Sequence, residues 1–221
     1  MFFPQLCQGC GSDLVSDQQL LCIQCIHRLP YTNYQLHADN PVEKIFRGRL
    51  QLQHAAGIFY LTKNSIPERL LYQLKYNGKK ETGEYCGKLI GQAIQSSPFL
   101  LVDALVPLPL FPKKERMRGY NQSAVICEGI ASVIHKPVWK NAIGRTSTTE
   151  TQTRKNRIER WQNMQSRFSV IDAAKLSGRH VLLVDDVITT GATLESCGSA
   201  LLEAGASLSI LTLAMAASRS V

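Results

Sequence analysis

VLLVDDVITTGAT, Val181–Thr193, is the stretch from which the rest of this chain can be read. Val181–Val184 is a continuous apolar run, as expected for a parallel strand buried on both faces. Two carboxylates, Asp185 and Asp186, follow at its carboxyl end, and Thr189, Thr190, Gly191, Ala192 and Thr193 then lead into a helix. Open α/β sheets bind their ligands at the carboxyl ends of the strands. A Thr- and Gly-rich turn entering a helix offers a phosphate clustered N–H groups, hydroxyls and the positive end of the dipole. Carboxylates alone beside a phosphate would repel it. They make sense where sugar hydroxyls donate to them and a hydrated Mg²⁺ is held nearby. The string therefore suits a ribose 5-phosphate. A plain helix cap is the alternative for a generic turn with two Asp, but here every position suits the phosphate.

The pattern on either side is that of an α/β protein. Ala55–Leu61 reads as a strand, Ile66–Tyr76 as a helix with a stripe of Leu70, Leu71 and Leu74, and Gly83–Gln95 as a further helix. Leu101–Val106 is a short apolar strand stopped by Pro107 and Pro109. Gln122–Ile134 is an amphipathic helix offering Ala124, Ile126, Cys127, Ile130, Ala131 and Ile134 to a core. Gly144–Arg167 is polar and Arg-rich, with no sustained apolar period. Ala192–Ala204 reads as a helix ending at Gly205, and Ser207–Ala214 as the strand after it. Strand, helix and strand in succession predict a parallel sheet flanked by helices.

Residues 1–40 differ in kind. Cys7-x-x-Cys10 and Cys22-x-x-Cys25 have the spacing of two zinc knuckles, able to put four thiolates on one tetrahedral ion. So short a segment cannot build a core alone, and metal binding would supply its folding free energy. Disulfides are the competing reading, disfavoured where no secretion signal is seen. His27 lies nearby, but four thiols already fill the site. Tyr31–Asn40 reads as a polar linker, giving a zinc module with its linker at 1–40 and an α/β domain at 41–221. Cys86, Cys127 and Cys197 stand alone and suit small core positions.

Composition bounds the rest. With 221 residues, 44% hydrophobic and 19% charged, the chain is long enough for one full core and a small appendage. Leu208–Ala217, its most apolar stretch, is too short to span a bilayer, which takes about 20 residues. The start lacks the pattern of a secretory signal, so a cytoplasmic protein without membrane insertion is expected. The net charge is +8, and Lys113–Arg167 holds twelve Lys and Arg against four Asp and Glu. The other residues balance, thirteen against thirteen, so a polyanion site is expected within that segment. A solvated basic face is the plainer alternative.

Val181–Thr193 also resembles the signature by which type I phosphoribosyltransferases bind phosphoribosyl pyrophosphate, PRPP. That likeness implies ribose hydroxyl contacts for Asp185 and Asp186, the catalytic-site carboxylates. It implies a 5-phosphate cradle of Thr189, Thr190, Gly191, Ala192 and Thr193, Mg²⁺ bound with PRPP, and about five parallel strands. Further pieces narrow the family: the CxxC pairs, LKYNG at Leu74–Gly78, VPLPL at Val106–Leu110 and RGYNQ at Arg118–Gln122. Arg145, Thr149, Gln152, Arg160, Asn163 and Phe168 add a spaced pattern. With these the chain resembles, over essentially its whole length, the ComF family of phosphoribosyltransferase-like competence proteins. Tyr120 stands where Phe is commoner.

The family fold would turn Phe111–Gln122 toward pyrophosphate, making Arg116 and Arg118 candidates for it. It would make Thr151–Arg160 a closing loop, with Arg154, Lys155 and Arg157 neutralising the departing group. The same Arg-rich loops could follow a nucleic-acid backbone, with Tyr120 or Trp161 as a stacking face. A lone aromatic such as either is more often a core residue than a stacking platform. Two functions therefore stay open. One is a PRPP-binding protein of natural transformation that handles incoming single-stranded DNA, with a protein partner in the competence machinery. The other is an active phosphoribosyltransferase of nucleotide or base salvage, although no residues are found that read an acceptor base.

Overall fold

The computed structural model describes residues 6–13, 15, 19–145 and 168–216. Strands β1 (Ala55–Leu61), β2 (Ala104–Pro107), β5 (His180–Ile188) and β6 (Ser207–Ala216) form one parallel sheet in the order β1-β6-β5-β2. β3 (Ile143–Arg145) and β4 (Phe168–Val170) pair antiparallel beside it. The helices are α1 (Ile23–His27), α2 (Pro41–Phe46), α3 (Ile66–Tyr76), α4 (Lys80–Ile94), α5 (Pro112–Arg118), α6 (Gln122–Ile134), α7 (Ala173–Leu176) and α8 (Ala192–Glu203). None of the described helices is long and apolar enough to cross a membrane.

The apolar run of β5 is explained by what covers it. Leu182 and Val184 join Leu105, Ile90, Ile126 and Ile130 on one face of the sheet. Val181 and Leu183 join Val42, Phe46, Leu194 and Leu201 on the other. Each such side chain gains about 1.5–3 kcal/mol on burial, so neither face tolerates a polar residue in this stretch. Helix starts follow the sequence chemistry. Ser65 accepts the Glu68 N–H at 3.3 Å ahead of α3, and Asn121 accepts the Ser123 N–H at 3.0 Å ahead of α6. Helices α4 and α6 meet backbone to backbone. A Cβ placed on Gly87 would lie 2.2 Å from the Ile126 carbonyl oxygen, and one on Gly129 would lie 2.2 Å from that of Glu84.

The structure departs from the sequence reading in five places. The described residues give four parallel strands rather than about five, because Val138 adds only a single parallel bridge to Leu105. Pro137 before it has no N–H with which to extend a ladder. Leu101 belongs to a 3₁₀ turn, and β2 begins at Ala104 and includes Pro107. Pro107 is tolerated there because β2 is the outer strand. Strand β5 continues beyond Val184 through both aspartates to Ile188. Much of the basic segment Phe111–Gln122 is helical, as α5, rather than a loop.

The fifth departure is Tyr31–Asn40, which is packed onto the sheet rather than strung out as a linker. The Thr32 N–H donates to Ile58 O at 2.9 Å, and the Asn40 amide donates to Ala55 O at 2.9 Å. Tyr34 and Tyr60 join their hydroxyls at 2.7 Å. Polar side chains here satisfy backbone groups, so the absence of an apolar pattern does not make a free segment. Cys86, Cys127 and Cys197 are fully buried, and burial pushes the Cys86 thiol up to about 12. They are small core residues.

Candidate functional site

Asp185 and Asp186 lie within β5, past the end of β2, whose last residue Pro107 pairs with Val184. Asp185 is opposite Thr212 of β6. Its Oδ1 accepts from the Ser123 hydroxyl at 3.0 Å and from the Asp186 N–H at 2.8 Å. Ser123 stands at the start of α6, so helix and strand meet on this carboxylate. Burial and the neighbouring Asp186 charge push the Asp185 carboxyl up to about 7, although the Asp186 N–H, Ser123 and Lys75 all oppose the rise. Asp186 has a different partner: Lys75 Nζ of α3 stands 2.8 Å from its Oδ2.

The phosphate turn follows directly. Thr189, Thr190 and Ala192 are exposed, Thr193 is half-buried, and Asp185, Val187 and Thr189–Leu194 line a small concavity of about 60 Å³. Gly191 opens α8 at φ +75 and has no side chain to cap it, and the Ala192 N–H makes only a long 3.5 Å contact with the Thr190 hydroxyl, so the first turn of α8 offers N–H groups to a ligand. A Cβ on Gly191 would stand 2.9 Å from both Ile45 and Phe46, so glycine is required by space as well as by conformation. Arg49, just after α2, braces the turn. Its Nη1 donates to Thr190 O at 3.2 Å, and its Nη2 pairs with Glu195 in the first turn of α8.

The basic candidates are placed unevenly. Arg116 is exposed, with Nε donating to Pro112 O at 3.4 Å. Arg118 is half-buried, and its Nε is buried without a hydrogen-bond partner. Among the described residues neither forms a hydrogen bond or ion pair with the phosphate turn. Arg154, Lys155, Arg157 and Trp161 lie outside the described residues. Tyr120 is a core residue, 8% exposed, with its hydroxyl donating to Leu74 O, so it offers no stacking face. A cleft of about 440 Å³ opens beside it, lined in part by Pro107, Asn121, Lys140 and Arg145. The Arg145 guanidinium lies 3.5 Å from the Phe111 ring centre.

The Sγ atoms of Cys7, Cys10, Cys22 and Cys25 lie within 4.8 Å of one another, close enough to share a metal ion. Gly9 sits where a Cβ would stand 2.8 Å from Cys25 Sγ, and the Cys22 N–H donates to Cys7 Sγ at 3.2 Å. Burial acts to raise the Cys7 thiol, but the N–H groups of Cys22, Cys10 and Gly9 outweigh it and bring the thiol down to about 6. Thiolate is the form that binds metal. His27 is exposed. The cluster belongs to the same buried core as α3 and α4, and Thr82 donates to Gln8 Oε1 at 2.8 Å across the junction.

Sequence reasoning missed Lys75, Ser123 and Arg49. Lys75 lies in LKYNG and Ser123 directly follows RGYNQ, so the motifs marked the segments without giving these residues a role. Arg49 falls in no motif noted.

A parallel sheet with carboxylates and a Thr-Gly turn at the end of one central strand defines a phosphoribosyltransferase-like domain. Residues 124–220 match the family model of the phosphoribosyl transferase domain. The chain is 30% identical over 205 residues to the DNA utilization protein YhgH of Escherichia coli (strain K12), covering 91% of this chain and 86% of that protein. It is 28% identical over 207 residues to Competence protein F of Haemophilus influenzae, covering 90% and 85%. It is 31% identical over 217 residues to Competence protein ComFC of Bacillus subtilis, covering 93% and 81%. The chain belongs to the ComF family of phosphoribosyltransferase-like competence proteins.

Proposed function

We propose that this protein binds PRPP and serves natural transformation in the cytoplasm, handling single-stranded DNA as it enters. The observation that carries the reading is the pair Asp185 and Asp186 standing beside the uncapped start of α8. The carboxylates accept from the ribose hydroxyls, and Thr189, Thr190, Gly191, Ala192 and Thr193 take the 5-phosphate through N–H and hydroxyl groups. Mg²⁺ accompanies the diphosphate. Arg116 and Arg118, together with Arg154, Lys155 and Arg157, provide the positive charge for pyrophosphate or DNA. The thiols of Cys7, Cys10, Cys22 and Cys25 hold zinc, in an N-terminal module that packs against α3 and α4 and docks a competence-machinery partner. The likeness to the competence proteins of Haemophilus influenzae and Bacillus subtilis supports the biological side of this reading.

DNA binding through basic loops has a direct test. Single-stranded DNA should bind in a fluorescence anisotropy titration with an affinity that falls steeply as salt rises, because phosphate contacts release counterions. Replacing Lys113, Lys114, Arg154 and Lys155 together with Ala should weaken binding and flatten the salt slope by up to about 3 in log–log terms. An unchanged slope in that variant would remove the basic segment from the DNA site. Pyrophosphate release from PRPP in the presence of candidate bases would instead favour an active transferase.

A further inference from the structure

The carboxylate pair of the ribose site already has a cation of its own. Lys75 lies in the last turn of α3 and brings its ammonium to 2.8 Å from Asp186 Oδ2. The two side chains are only 25% and 15% exposed. An ion pair this shielded holds its geometry better than an exposed one, and removing either partner leaves the other charge uncompensated. The neighbours of Lys75 on the helix, Tyr72 and Tyr76, are well exposed, whereas the Lys75 side chain is not. Asp185 is provided for separately, by the Ser123 hydroxyl and the Asp186 N–H.

This arrangement supplies positive charge at the carboxylate pair before any divalent ion arrives. One oxygen of each carboxylate is engaged, Asp186 Oδ2 by the ammonium and Asp185 Oδ1 by a hydroxyl and an N–H. Mg²⁺ is ordinarily held through one or two carboxylates together with substrate phosphates.

We infer that Lys75 is the resident countercation of the ribose site, balancing Asp186 and holding it in place for the sugar hydroxyls. The inference rests on the reading of the site as a PRPP site. Lys75 then balances the carboxylate pair before any Mg²⁺ arrives with the diphosphate of the ligand. A ligand with the ribose and 5-phosphate but no diphosphate should bind equally well with and without Mg²⁺.

Ribose 5-phosphate is that ligand, and calorimetry in excess EDTA and in excess Mg²⁺ reads the difference. Wild-type protein should bind it with the same affinity in both buffers. Lys75→Met, which keeps the length of the side chain and loses the charge, should bind at least about tenfold more weakly in EDTA and recover in part with Mg²⁺. Lys75→Arg should bind without Mg²⁺, as wild type does. A wild-type protein that needs Mg²⁺ for ribose 5-phosphate, or a Lys75→Met variant matching wild type in EDTA, overturns the inference. The wild-type comparison and Lys75→Arg decide the matter should Lys75→Met fail to fold. If PRPP binds wild type while either of those results is found, only the role of Lys75 falls. If neither ligand binds wild type in either buffer, the PRPP reading falls and takes this inference with it.

Discussion

All four thiols of the cysteine cluster come from residues 7–25, whereas the ribose-phosphate site draws Arg49, Lys75, Ser123 and the run from Asp185 to Thr193 from four separate stretches. The cluster is closed by its own neighbourhood: Gly9 makes room for Cys25, and backbone N–H groups turn toward Cys7. The other site depends on the sheet, since only the pairing of β5 with β2 and β6 brings α6 onto Asp185. Local spacing can therefore specify which four thiols come together. It specifies only the core of the ribose-phosphate site and leaves out the groups that tune it.

The contrast predicts unequal responses to mutation. The largest belongs to the thiols. Structural zinc contributes about 10–16 kcal/mol in small zinc peptides, and here it would add to the core that the module shares with α3 and α4. The purified protein should carry about one zinc per chain by elemental analysis, as expected of a site with four Cys ligands. Cys22→Ser should abolish that zinc and lower the melting temperature of the whole chain, because the cluster shares a core with α3 and α4. Freshly reduced protein that lacks zinc and melts unchanged would break the comparison at this end.

A smaller effect is expected at Asp185, and it depends on pH. Its carboxyl moves from an ordinary 3.8 to about 7 on folding, so between those values the native protein binds the extra proton. Its influence on stability is then most favourable at acid pH, is lost as pH rises through that window, and levels off above it. Asp186, Lys75 and Ser123 are the groups facing it. Asp185→Asn cannot ionise and should gain on wild type between pH 4 and pH 7.5, by about 1–2 kcal/mol once solvent screening is allowed for. Urea titrations at the two pH values measure this. A difference that grows in the opposite direction would mean that Asp185 stays ionised throughout.

How far the sequence could be read follows the same division. Strand β5, helix α8 and the thiol cluster are legible because each is set by contiguous residues: an apolar run, a Thr-Gly turn, a fixed spacing. Lys75 and Ser123 stand beside recognisable motifs, yet nothing in their spacing says which carboxylate each one reaches across the fold. Tyr31–Asn40 misleads because its side chains bond to backbone on β1 rather than to solvent. The charge of Phe111–Gln122 suggests a loop, but Pro112 at the first turn and Gly119 in the left-handed region bound a short helix.

The central claim is that the turn after β5 cradles the phosphate of PRPP, and one calorimetric comparison tests it most directly. Thr190 is exposed, so Thr190→Glu should fold normally and place a carboxylate where the phosphate would sit. Wild-type protein should bind PRPP in the presence of Mg²⁺, and Thr190→Glu should bind at least about a hundredfold more weakly, as expected when an anion site acquires a negative charge. PRPP affinity unchanged by Thr190→Glu would contradict the assignment and move the ligand elsewhere on the protein.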